Sequence, residues 1–96
     1  MQYECKIKAN MKELEKTLKA LANKRRLAIV KYLKEYREAP VGEIAGAIHL
    51  SFRSTSRHLA VLAHADVLEK EQKSLQVFYR IAFPIGITVK HVLSLL

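Results

Sequence analysis

Between Pro40 and Asp66 the chain sets two short amphipathic segments end to end with only three residues between them, and that spacing leaves few folds open. Val41, Ile44, Ala45 and Ile48 repeat at i, i+3, i+4 and i+7, the period of one helical face, which predicts a helix over 41–48. Pro40 suits the first turn of that helix. His49, Leu50 and Ser51 then break the pattern, and Ser51 is a good N-cap for a second helix over 52–65. Phe52, Thr55, Leu59 and Leu62 form its inward stripe. The outward residues Arg53, Ser54, Arg57, His58 and His64 are basic or polar, and no acid lies between Ser51 and Ala65. Two short helices joined by a three-residue turn, the second of them cationic, have the layout of a helix-turn-helix, and the small residues Ala45 and Gly46 let the two helices cross closely.

The flanking sequence supplies the remaining elements. Residues 2–8 alternate apolar Tyr3, Cys5 and Ile7 with charged Glu4, Lys6 and Lys8, the period of a short strand. Asn10 and Glu13 form a capping box ahead of a helix over 11–21 with Met11, Leu14, Leu18 and Leu21 on one stripe. Asn23 caps a helix over 24–37 that is apolar on so many sides that it belongs at the centre of a core. Asp66 ends the second helix of the motif, since Asp tolerates the left-handed backbone. Residues 67–72 and 75–82 then read as a β-hairpin, its second arm alternating Leu75, Val77, Tyr79 and Ile81 with Gln76, Phe78 and Arg80. The turn near Lys73 and Ser74 has no glycine, which leaves its type open. Pro84 opens a last apolar helix over 84–96. The expected fold is mainly α with a small β-hairpin: a winged helix-turn-helix of five helices plus a two-stranded wing, forming a single domain over 1–96.

Charge points to the partner. The 96 residues hold 17 Lys and Arg against 9 Asp and Glu, a net +8, and such a balance favours a polyanion. From Gln72 to Leu96 there is no carboxylate. No apolar run approaches the ~20 residues that span a bilayer, so a membrane partner is not expected. The polar first residues lack a secretory core and Cys5 has no disulfide partner, both pointing to the cytoplasm.

Duplex DNA fits the outward helix best. The major groove is wide enough to admit a helix, and an arginine can donate two hydrogen bonds to guanine. Arg53 and Arg57 are four apart and project from one face, with Ser54 beside them. The N–H groups near Ser51 favour a phosphate. Lys70 and Lys73 of the wing would lie near a phosphate or the minor groove. His58 has two readings, a phosphate contact or packing at the edge of the helix. Lys24, Arg25 and Arg26 stand at a positive helix end, so their charge either serves backbone contact or, for Arg26, ties helices together.

The stretches LKALANKRRLAIVKYL at 18–33 and SFRSTSRHLAVLAHADVLEKEQKSLQVFYRI at 51–81 resemble the ArsR-type winged-helix regulators. The resemblance implies a homodimer, built on the first and last helices, that represses by binding an inverted repeat. It places Ser54, Ser56 and Arg57 at base-facing positions. Arg53 fills a position usually held by a small polar residue, Phe52 is unusual for the family, and His49 and Asp66 stand where glycine is common. Both of these types visit positive φ more readily than most residues.

Family metal sites cannot be assembled. The segment APVGEIAGAI lacks Cys and His, and the last helix has His91 alone, whereas zinc takes four ligands or three plus water. No metal effector and no cofactor are expected. Cys5 is read as an unreactive thiol, with a redox bridge between subunits as the alternative. Leaving Met11, Leu14, Leu18 and Leu21 exposed together with Val89, Val92, Leu93 and Leu96 would create an apolar patch larger than monomers tolerate, so these residues are the expected dimer interface, with completion of the protomer's own core by Ile85, Leu93 and Leu96 as the alternative. The competing reading is a winged-helix module that binds protein and not DNA. No catalytic arrangement is visible, so an enzyme is not expected, and the aromatic-glycine motifs of single-strand RNA readers are missing.

Overall fold

The computed structural model describes residues 11–96. The strand expected over 2–8, the capping box at Asn10 and the thiol of Cys5 lie outside the described residues. In chain order the elements are α1 (Met11–Leu21), α2 (Lys24–Tyr36), β1 (Glu38–Pro40), α3 (Val41–Ile48), α4 (Phe52–His64), β2 (Leu68–Lys73), β3 (Gln76–Ile81) and α5 (Ile87–Leu95). No described helix is long and apolar enough to cross a membrane.

α2 is the hub. It packs against α1, α3, α4, α5, β1 and β3. Its Ile29, Val30 and Leu33 share one core with Ile44 of α3, Leu59 and Leu62 of α4, and Val67, every one of them at most 1% exposed. The helix starts where the sequence asks it to, because Asn23 Oδ1 accepts from the N–H groups of Arg25 and Arg26 at 2.9 and 3.2 Å. Lys34 reaches from α2 to donate to the carbonyl of Leu93 at 2.8 Å, placing a cation at the negative end of α5.

The turns obey the local rules. His49 takes the left-handed conformation (φ 56, ψ 49) and closes α3, while the Leu50 N–H bonds the Ala45 carbonyl at 3.0 Å. Asp66 has φ 61 and redirects the chain after α4. Ser51 Oγ accepts from the Ser54 N–H at 3.1 Å, capping α4 as expected.

Three findings correct the expectations. The sheet has three antiparallel strands in the order β1-β3-β2, and β1 pairs Ala39 with Tyr79. Glu-Ala-Pro carries no strand signal of its own. It becomes a strand because β3 offers an open edge and Ala39 is buried against it, with Pro40 at the strand end where its missing N–H costs little. The last helix begins at Ile87, not Pro84: the first helical bond runs from the Lys90 N–H to the carbonyl of Gly86, which has extended backbone. Phe52 does not join the inward stripe. It is 61% exposed, whereas Thr55, Leu59 and Leu62 are fully buried, because the first residue of α4 opens onto a cleft between the start of α3 and the wing.

The hairpin turn is now defined. Lys73 pairs with Gln76 across a two-residue turn, Ser74-Leu75. Ser74 has φ 60 and Leu75 is not among the positive-φ residues, the pattern of a type II′ turn.

One buried group stands out. Thr55 is fully buried and its Oγ1 meets no hydrogen-bond partner among the described residues. A buried hydroxyl without a partner costs free energy that an isosteric methyl does not. Thr55→Val is therefore expected to raise stability in urea denaturation by about 1 kcal/mol; a fall in stability would mean that the hydroxyl has a partner after all.

Candidate nucleic-acid interface

Burial of Thr55, Leu59 and Leu62 decides how α4 is turned. With 100° between successive residues, the face opposite that stripe carries Arg53, Arg57 and His64, all exposed. Among the described residues neither Arg53 nor Arg57 makes a hydrogen bond or an ion pair, so both guanidinium groups are free to bind an anion. Ser54 and Ser56 flank this row and are half-buried. Ser51 is exposed, with its hydroxyl oxygen committed to the cap.

His58 is turned away from that row. Its Nδ1 lies 3.3 Å from Arg26 Nη1, and because a guanidinium only donates, Nδ1 accepts and the ring is neutral. Arg26 also donates from Nε to the Ala20 carbonyl at 2.6 Å and from Nη2 to the Lys19 carbonyl at 3.3 Å. The tying role for Arg26 is thus the one adopted, and His58 packs at the edge of α4. Burial first, then the cations Arg26, Arg25 and Arg57, hold the imidazole below its ordinary pKa. A second polar clasp fixes the other helix of the motif. Tyr32 donates to Glu43 Oε2 at 2.6 Å, locking α2 to α3, and that bond, followed by burial, pushes the phenol up to about 12.

The structure separates the two lysines of the wing. On one face, Arg80 binds Glu69 and Glu71, both at 2.8 Å, with Glu38 at 3.8 Å. The Arg80 guanidinium holds the Glu71 carboxyl below its usual range. Lys73 belongs to this ladder, 2.6 Å from Glu38 and 5.1 Å from the centre of the Phe78 ring. Lys70 lies on the opposite face, in register with Tyr79, exposed and without a partner among the described residues. Alternation along β2 alone separates them, but the acid that engages Lys73 comes from β1, the strand that sequence reasoning missed.

The expected dimer residues also divide. Leu21, Val89 and Leu93 are buried in the protomer's own core, and Val92 and Leu96 are half-buried against it. Met11, Leu14 and Leu18 stay on the surface at 65, 45 and 48% exposure. α1 packs on α5, whose Ile87 and Leu95 are also exposed. Among the described residues no three His, Cys, Asp or Glu side chains gather where they could hold a metal ion.

The sequence pattern of the bacterial regulatory proteins of the arsR family matches residues 23–70, from the cap of α2 through α4 into the wing. The chain belongs to the arsR family. The transcriptional activator HlyU of Vibrio cholerae is 35% identical to it, over 76% of this chain and 73% of that protein. The structure of reduced HlyU from the same species superposes with a TM-score of 0.77 at 31% identity, covering 94% of this chain and 90% of that one. A homodimeric winged helix-turn-helix DNA-binding domain from Mycobacterium bovis gives a TM-score of 0.77 at 31% identity, covering 91% and 77%. The transcriptional repressor PagR of Bacillus anthracis gives 0.78 at 25% identity, covering 91% and 95%. This arsR-family chain is thus a winged-helix transcriptional regulator, and the resemblance read from its sequence is borne out.

The neutral state of His58 has a consequence for stability. Its folded pKa is depressed, so the contribution of the neutral ring is complete above the ordinary value of 6.5 and is lost as pH falls below it, where the unfolded chain binds the proton more readily. Between about pH 7.5 and 5 the melting temperature of the wild type is expected to fall more than that of His58→Gln. The other histidines are common to both proteins and cancel in the difference. Parallel profiles would exclude His58 as the source.

Proposed function

We propose that this regulator binds double-stranded DNA sequence-specifically as a homodimer, in the cytoplasm, with α4 in the major groove and the hairpin as a wing beside it. The observation that carries the reading is the exposed, acid-free face of α4, on which Arg53 and Arg57 stand without partners among the described residues. Arg57 and Arg53 read base edges, Ser54 and Ser56 contact base edges or the phosphates beside them, and Lys70 meets the backbone from the wing. Ser51 acts through the cap it provides. His58 positions α4 and does not touch DNA, and Lys73 is partly neutralised by Glu38 and contributes little.

The dimer forms on the exposed apolar face of α1, Met11, Leu14 and Leu18, extended by α5. A two-fold contact of this kind presents two copies of α4 to the two halves of an inverted repeat. Repression follows where that repeat overlaps a promoter. Among the relatives one is named an activator and another a repressor, which fits a sign of regulation set by operator position and not by fold.

Two measurements test this. In anisotropy titrations on a footprinted operator, Arg57→Ala is expected to cost about 1–3 kcal/mol of discrimination between the operator and a scrambled duplex. Lys70→Ala should weaken both alike and lower the salt slope by about 1. Failure of the wild type to bind any duplex at low salt would favour the protein-binding alternative. In sedimentation, Leu18→Glu should convert the dimer to a folded monomer; a variant that remains dimeric would move the interface elsewhere.

A further inference from the structure

Two large apolar side chains on the wing side of α4 have no role in the reading above. Phe52 begins α4 at 61% exposure and Leu75 sits at the wing tip at 95% exposure. They are far apart in sequence, yet both line one cleft of about 250 Å³, with residues 40–42 at the start of α3 on one side and residues 75–77 of the wing on the other. No carboxylate among the described residues lines it. The tip cation Lys73 is drawn back onto Glu38, so Leu75 is the leading side chain of the turn. Phe52 is followed directly by Arg53, so the cleft opens at the same end of α4 as the proposed base-reading face.

The position of the cleft names its occupant. If α4 lies in the major groove and the wing reaches the adjacent minor groove, the strand that separates the two grooves must cross the surface between the start of α4 and the wing tip. That strand offers phosphates, which cations hold, and deoxyribose rings, whose C–H faces are its apolar part. We propose that Phe52 and Leu75 form an apolar clasp that closes on the deoxyribose of this strand, a contact that adds affinity on every sequence. The proposal rests on the DNA-binding reading.

A contact of this kind releases no counterions, which separates it from every charged one. Phe52→Ser and Leu75→Ser are both expected to fold, since each removes an exposed side chain, and an unchanged melting temperature checks this. In anisotropy titrations over a range of potassium chloride concentrations, each should weaken binding about tenfold, the scale of withdrawing one apolar side chain from a packed contact. The slope of log affinity against log salt should equal that of the wild type, and the loss should be the same on operator and scrambled duplex. Unaltered affinity in both variants, while the wild type binds, overturns the clasp and leaves the DNA-binding reading standing. A reduced salt slope overturns it in favour of an electrostatic effect. A loss confined to the operator and abolished by replacing thymine with deoxyuracil assigns Phe52 to a thymine methyl and overturns it likewise. If the wild type binds no duplex at low salt, both readings fall together.

Discussion

The buried side of α4 determines what its exposed side can do. Thr55, Leu59 and Leu62 are held against α2 and its neighbours with no measurable exposure, and a helix so gripped cannot rotate about its axis without lifting that stripe into water. Removing even one such leucine from a packed core costs on the order of 2–5 kcal/mol, a large share of the stability of a domain this size. The direction in which Arg53 and Arg57 point is therefore a by-product of core packing. Preorganisation of this kind matters for groove binding, because side chains already presented in register lose less entropy on contact.

Arg26 adds a second constraint. One guanidinium is shared by the last carbonyls of α1 and by His58 on α4. A cation at the C-terminal end of a helix is favourable in itself, and here it also joins the helix with the exposed apolar face to the helix with the exposed cationic face. The two surfaces a dimeric DNA-binding protein needs are thus fixed relative to each other by a side chain that belongs to neither. This accounts for a basic residue at the unfavourable positive start of α2: Arg26 bends back to the negative end of the preceding helix.

How much of this was legible in the sequence depends on the range of the interaction involved. Asn23 and Ser51 act on N–H groups two or three residues away, and His49 and Asp66 act on their own backbone, so caps and turns could be read directly. Helical periodicity exposed the core of α2 and α4 for the same reason. β1 was hidden because its hydrogen bonds are to β3, some forty residues on, and nothing in Glu-Ala-Pro encodes that edge. The three-residue strand in turn brings Glu38 to Lys73, so β2 alone sets the two lysines on opposite faces but does not show which of them an acid engages. Leu21, Val89 and Leu93 show the converse limit: an apolar stripe declares that a face is covered, not whether the cover comes from the same chain or a second copy.

Phe52 marks the point where periodicity and function part. Its spacing from Thr55 and Leu59 suits the inward stripe, but helical spacing fixes only angle, and inward burial also requires something to pack against at that height along the axis. At the first residue of α4 the ring opens onto the cleft between the start of α3 and the wing and not onto the core. An apolar side chain there gains nothing for folding and leaves its surface in water, a cost that binding can recover when a partner covers the ring. The same reasoning applies to Leu75 across the cleft, in a turn position where a polar residue would serve the hairpin as well. Two such residues lining one cleft, with no carboxylate among the described residues in that lining, put an apolar surface at the start of the cationic helix, and a nucleic acid strand is a partner whose own surface is divided in the same way.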